Sequence, residues 1–95
     1  MPPVDVAARF AENLTHCRKR AGLSQEELGF GAALHRTEIS QLERGLRVAR
    51  IDTLVKLAGT LSISPCDLLE GIEWSPSTST SGQFRVAGPE PPEPD

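Results

Sequence analysis

No stretch of this sequence approaches the roughly 18 to 20 consecutive apolar residues that a membrane-spanning helix needs. The opening Met1-Pro2-Pro3-Val4-Asp5 has neither the basic segment, the apolar core nor the cleavage site of an export signal, so the cytoplasm is the expected location. Cysteine is scarce: Cys17 and Cys66 are the only two, and without a Cys-x-x-Cys or Cys/His ligand spacing they exclude a disulfide scaffold and a zinc site. Both are read as buried, reduced thiols that pack as small apolar residues. Catalytic groupings are missing as well. His16 and His35 have no Asp/Ser or Cys partner at a workable spacing, Gly29-x-Gly31 falls inside a helical pattern, and no metal constellation appears. Neither an enzyme nor a cofactor or metal is expected, and no catalytic residue is assigned.

Within 95 residues there is room for one compact domain and none for a separate effector domain. A domain of that size buries a modest share of its surface, which favours help from a second subunit. The net charge of −3 is unevenly spread. Residues 1–71 hold nine Lys/Arg and nine Asp/Glu, whereas residues 72–95 set Arg85 against Glu73, Glu90, Glu93 and Asp95. From Ser75 onward the composition turns to Ser, Thr, Pro and Gly, too poor in apolar residues to offset the entropy of ordering. The expected division is a folded domain over 1–71 and a flexible acidic tail over 72–95. One exception is Gln83-Phe84-Arg85-Val86-Ala87, a short strand-like run whose expected partner is its copy in a second chain.

The first 71 residues predict five short helices. Val6, Phe10, Leu14, Cys17 and Ala21 keep a 3.6-residue period from about Asp5 to Ala21, and Gly22 stops that helix. Ser24-Gln25-Glu26-Glu27 is a capping box, with Leu23 and Leu28 at the staple positions, and opens a second helix over Gln25–Ala32. Leu34 and Ile39 form the next staple, Glu38 stands three residues after His35, and a third helix runs from Arg36 to Arg44 before Gly45. Two short helices about three residues apart must cross steeply, as in a helix-turn-helix between Ser24 and Gly45. After a basic loop, Ile51, Leu54, Leu57, Ala58 and Leu61 mark a fourth helix, and Ser64-Pro65-Cys66-Asp67 starts a fifth that Gly71 ends.

Three segments, Leu23 to Leu28, Arg36 to Gly45 and Asp52 to Ala58, resemble the Cro/C1-type (XRE) helix-turn-helix family in residue type, order and spacing. The resemblance covers roughly residues 6 to 71. It implies an all-α, five-helix, lambda-repressor-like DNA-binding domain, a transcriptional regulator that acts as a homodimer on a palindromic operator. Where the family commonly has a turn glycine this chain has Ala33, where it has a Ser or Thr cap this chain has His35, and Val48-Ala49 replaces an Asn-Pro pair. His35 is read as a poor cap whose imidazole is available to a phosphate, and Gly29 and Gly31 as weak points of the second helix.

Base-edge contacts are expected from Arg36, Thr37, Glu38, Ser40 and Gln41, which match the family's groove-facing positions. Arg suits guanine O6 and N7, Gln suits adenine N6 and N7, and Thr offers a methyl to thymine. For Glu38 two readings stand, acceptance from cytosine N4 and capping of the third helix. Phosphate contacts are expected from Gln25, at a helix end rich in free N–H groups, and from Arg44, Arg47 and Arg50. Residues 36–50 hold four Arg against Glu38 and Glu43, a local +2. Arg18, Lys19 and Arg20 either reach flanking phosphates or complement the negative end of the first helix. Glu43 is read as structural, paired with a neighbouring helix.

Leu68, Leu69, Ile72 and Trp74 either close the core or form a dimer interface, and a dimer is expected because a lone domain with a handful of phosphate contacts binds weakly. A second reading of the whole chain is a protein-interaction module of antitoxin type, whose tail folds on a protein partner.

Overall fold

A computed structural model describes residues 5–76 and 82–86. Five helices follow in order: α1 Val6–Arg20, α2 Gln25–Gly31, α3 Arg36–Glu43, α4 Ile51–Leu61 and α5 Pro65–Leu68. Two strands close the described chain, β1 Ile72–Ser75 and β2 Gln83–Val86, paired antiparallel.

Every helix start except that of α4 is set by a side-chain cap at the N-terminal N–H groups. Asp5 Oδ1 accepts from the Ala8 N–H at 3.1 Å, and Ser24 Oγ accepts from the Glu27 N–H at 3.0 Å while Glu27 Oε1 accepts from the Ser24 N–H at 2.9 Å. The ends of α1, α2, α3 and α4 share one device. A left-handed residue lets the following N–H reach back five positions: Leu23 to Arg18 O, Leu34 to Gly29 O, Leu46 to Gln41 O and Ile63 to Ala58 O, at 2.8 to 3.2 Å. Gly22 and Gly45 take that conformation freely, but Ala33 (φ 56°) and Ser62 (φ 57°) take it against the steric preference of a Cβ.

Gly29 is required by the fold. A Cβ there would lie 2.7 Å from the Leu34 carbonyl oxygen and 3.4 Å from the Arg36 nitrogen. The bare backbone lets α2 abut the turn that launches α3, so the expected weakness of this glycine is the condition for the helix-helix crossing.

The core gathers Phe10 and Leu14 of α1, Leu28 of α2, Ile39 and Leu42 of α3, Leu57, Ala58 and Leu61 of α4, and Leu68 of α5. Two buried polar residues join them. Asn13 Nδ2 donates to Leu68 O (3.0 Å) and Glu70 O (2.9 Å), and Arg9 Nε donates to Glu70 O (3.2 Å). α1 thus supplies donors to carbonyls past the end of α5, which a single helical turn cannot satisfy itself.

Several expectations are corrected at this end. α5 stops at Leu68, short of Gly71, because Leu69 caps it and Ile72 already belongs to a strand. Cys66 is exposed, since a one-turn helix has no inner face at its second position. Cys17 is half-buried against the core, where burial pushes its thiol pKa up. The flexible tail does not begin at residue 72: the β1–β2 register pairs Ile72 with Val86, Glu73 with Arg85, Trp74 with Phe84 and Ser75 with Gln83. The strand expected at 83–87 therefore finds its partner within its own chain. Alternation explains it. Ile72, Trp74, Phe84 and Val86 share one face, where Ile72 packs on the core and the Trp74 and Phe84 rings meet edge to face at 5.0 Å. The other face carries Arg85 and Glu73 paired at 2.6 Å. The remaining tail, residues 77–81 and 87–95, lies outside the described residues, and with it most of the segment expected to bind a protein partner.

Candidate nucleic-acid interface

Helix α3 buries Ile39 and Leu42, so its other faces carry the residues between them. Arg36 and Thr37 are exposed, and Ser40 and Gln41 are half-buried. Gln41 Oε1 accepts from Arg47 Nη1 at 3.2 Å, which ties that loop to the helix face. Arg44 stands exposed as the residue that ends α3. Arg50 lies 3.4 Å from Asp52 with its side chain 80% exposed, a solvent-screened pair that an anionic partner could readily replace. Four arginines thus border α3 and its exit.

The start of α3 departs from expectation. His35 does cap the helix: its Nδ1 accepts from the Thr37 N–H at 3.1 Å, a role usually taken by a short oxygen-bearing side chain. Glu38 Oε1 accepts from the His35 N–H at 3.4 Å, the capping geometry read from the spacing. Its second oxygen is left as the atom able to meet an amino group.

What fixes the angle of α3 is a group of four residues around one carboxylate. Arg18 donates from Nε and Nη2 to the two oxygens of Glu43, at 2.6 and 2.9 Å, and from Nη1 to the Leu23 carbonyl at 2.9 Å. Gln25 Nε2 donates to Glu43 Oε1 at 3.2 Å. The two ionic side chains are 13% and 5% exposed. Donating to the Glu43 carboxylate raises the Arg18 pKa above its already high ordinary value. One carboxylate therefore joins the end of α1, the α1–α2 turn, the first residue of α2 and the last of α3. Arg18 is removed from the residues expected to reach phosphates, because each of its three nitrogens already donates inward, to Glu43 or to the Leu23 carbonyl. Gln25 keeps one amide N–H free of Glu43, at the open end of α2.

The expected dimer residues divide. Leu68 is fully buried among its own chain's residues and offers no side chain to a partner, and Ile72 packs on the core. Leu69 is 42% and Trp74 54% exposed, next to Phe84 at 49%. Among the described residues no group of three metal-ligating side chains gathers, and no helix is long and apolar enough to cross a membrane.

The sequence reading took His35 for a poor cap although Glu38 stands at capping-box spacing, gave Glu43 a structural pairing without its partners Arg18 and Gln25, and did not see the need for Gly29.

Comparison with known proteins places this geometry. The helix-turn-helix family model HTH_3 matches residues 14–68, from the middle of α1 to the end of α5. Control protein C.BamHI of Bacillus amyloliquefaciens is 43% identical over 62 residues, spanning 64% of this chain and 76% of that protein. Among solved structures, the restriction-modification controller protein C.AhdI from Aeromonas hydrophila is 37% identical with a TM-score of 0.64, covering 65% of this chain and 94% of that one. The DNA-binding domain of the P22 c2 repressor is 31% identical with a TM-score of 0.63, over 65% of this chain and 82% of the repressor domain.

Proposed function

The chain belongs to the helix-turn-helix family HTH_3, of the Cro/C1 type, and from that premise we propose that it is a sequence-specific DNA-binding transcriptional regulator with α3 in the major groove. The observation that carries the reading is the Glu43 group. It holds α3 at a fixed angle to α2, so that Arg36, Thr37, Ser40 and Gln41 face outward together and Arg44, Arg47 and Arg50 flank them. Base edges are read by the first set, with Glu38 accepting from a cytosine amino group; phosphates are held by the second set and by Gln25. Because Glu43 takes one Gln25 N–H, it also aims the other.

The regulator acts as a repressor and as a symmetric dimer on a palindromic operator, its half-sites about one DNA turn, roughly 34 Å, apart. The apolar residues left at the C-terminal end, Leu69 and Trp74, support that pairing. Selection of bound fragments from random duplex DNA tests both parts at once. An enriched inverted repeat with half-site centres about 10 base pairs apart is the expected result. No enriched sequence would overturn the function, and a single unrepeated half-site would overturn the dimer.

A further inference from the structure

The cap of α3 does more than close a helix end. His35 Nδ1 accepts the Thr37 backbone N–H at 3.1 Å, and the Thr37 hydroxyl oxygen lies 3.0 Å from the same nitrogen. A ring nitrogen that accepts an N–H carries no proton of its own, which leaves the ring proton on Nε2. Two donors then share one lone pair, as in a three-centre hydrogen bond. The only direction left for the second contact is from the Thr37 O–H to Nδ1.

That direction decides what Thr37 offers to DNA. A threonine hydroxyl ordinarily rotates and serves as donor or acceptor, which makes it indifferent among bases. With its proton turned inward to His35, the Thr37 oxygen shows only lone pairs to solvent, and its side chain is exposed on the outer face of α3. In the major groove the donors at base edges are the adenine N6 and cytosine N4 amino groups, whereas guanine and thymine present acceptors at O6, N7 and O4.

We propose that His35 is a positioning residue for base recognition: by holding the Thr37 proton it turns that hydroxyl into an obligate acceptor that selects adenine or cytosine at one operator position. The inference rests on α3 reading the major groove. A single oriented hydrogen bond of this kind corresponds to about a fivefold to tenfold preference between bases.

The test compares fragments selected from random duplex DNA by the wild type and four variants, with thermal unfolding measured on each. Wild type enriches adenine or cytosine by about fivefold to tenfold over guanine or thymine at one half-site position. His35→Gly keeps a tolerated helix start but no acceptor, so the preference there falls to about twofold or less while the other positions hold. His35→Asn, whose carbonyl oxygen accepts both Thr37 donors, restores it. Thr37→Val abolishes it and Thr37→Ser retains it, so that a preference surviving in Thr37→Val overturns the proposal even if His35→Gly fails to fold. The proposal is overturned if His35→Gly folds and selects as wild type does, if Thr37→Val keeps the preference, or if no half-site position favours adenine or cytosine in this way. Wild type that enriches no sequence at all sinks the DNA-binding reading instead.

Discussion

Arg18 and Glu43, 25 residues apart in the chain, meet through two hydrogen bonds of 2.6 and 2.9 Å in a site that water scarcely reaches. Removing one partner leaves the other charged and without its match, which costs far more than the pair contributes. Arg18→Met is expected to destabilise the fold by about 3 kcal/mol, with Glu43→Gln milder because the amide oxygen still accepts. The double variant Arg18→Met/Glu43→Leu recovers most of the loss. Urea unfolding of these variants and of Glu43→Leu checks this, and a loss in the double variant equal to the sum of those of Arg18→Met and Glu43→Leu would show that the residues act independently.

Ala33 holds φ 56° at the turn between α2 and α3, where its Cβ opposes the left-handed conformation. Relief of that strain, less the extra freedom glycine brings to the unfolded chain, makes Ala33→Gly stabilising by about 0.5 to 1 kcal/mol. The same change at Ala32, whose φ of −93° suits a Cβ, should lower stability. Thermal midpoints moving in opposite directions for these neighbouring substitutions are the expected signature.

Glu27 is an exposed carboxylate whose pKa is lowered by accepting from the Ser24 backbone N–H and from the Ser24 hydroxyl. A carboxyl with a lower pKa folded than unfolded binds fewer protons in the folded state. Its contribution is therefore complete above the ordinary carboxylate pKa of 4.5 and is lost as pH falls through the lower folded value. Denaturation midpoints of wild type and Glu27→Ala should differ by a constant amount at neutral pH and converge in acid. A gap that stays constant down to acid pH would mean that the side chain acts without its charge.

Arg36→Ala is expected to weaken operator binding by about 1 to 3 kcal/mol and to relax preference at one base position. Arg47→Ala, by contrast, should weaken binding to every sequence alike and lower the slope of log affinity against log salt by about 1. Fluorescence anisotropy over a salt series separates the two. Uniform loss for Arg36→Ala would place that arginine on a phosphate.

What could be read from the sequence was local in the chain. Ser24 with Glu27, and the Ile51 to Leu61 periodicity, lie within a few turns of each other and specify α2 and α4 without reference to anything distant. The Arg18–Glu43 pair is not local, and several arginines competed for Glu43 on paper. Leu68 and Trp74 looked alike as apolar residues near the end of the domain, yet one is enclosed in the core, where α5 packs on α1 and α4, and the other lies against Phe84. The β1–β2 pairing escaped because each strand is four residues long, and only together do Ile72, Trp74, Phe84 and Val86 make an apolar face. His35 escaped for a chemical reason: imidazole is an uncommon cap, and its fitness here depends on which nitrogen holds the proton.

Asn13 spends both N–H donors on carbonyls 55 and 57 residues away, at the junction where α5 gives way to β1. If the C-terminal segment peels off, a buried amide in the middle of α1 loses both acceptors at once, and Arg9 loses one of its own. Detachment of the chain's last described elements and loosening of its first helix are thus a single cooperative opening. In a hydrogen-exchange experiment the β1–β2 amides and those of the inner face of α1 should report the same opening free energy, although they belong to opposite ends of the polypeptide.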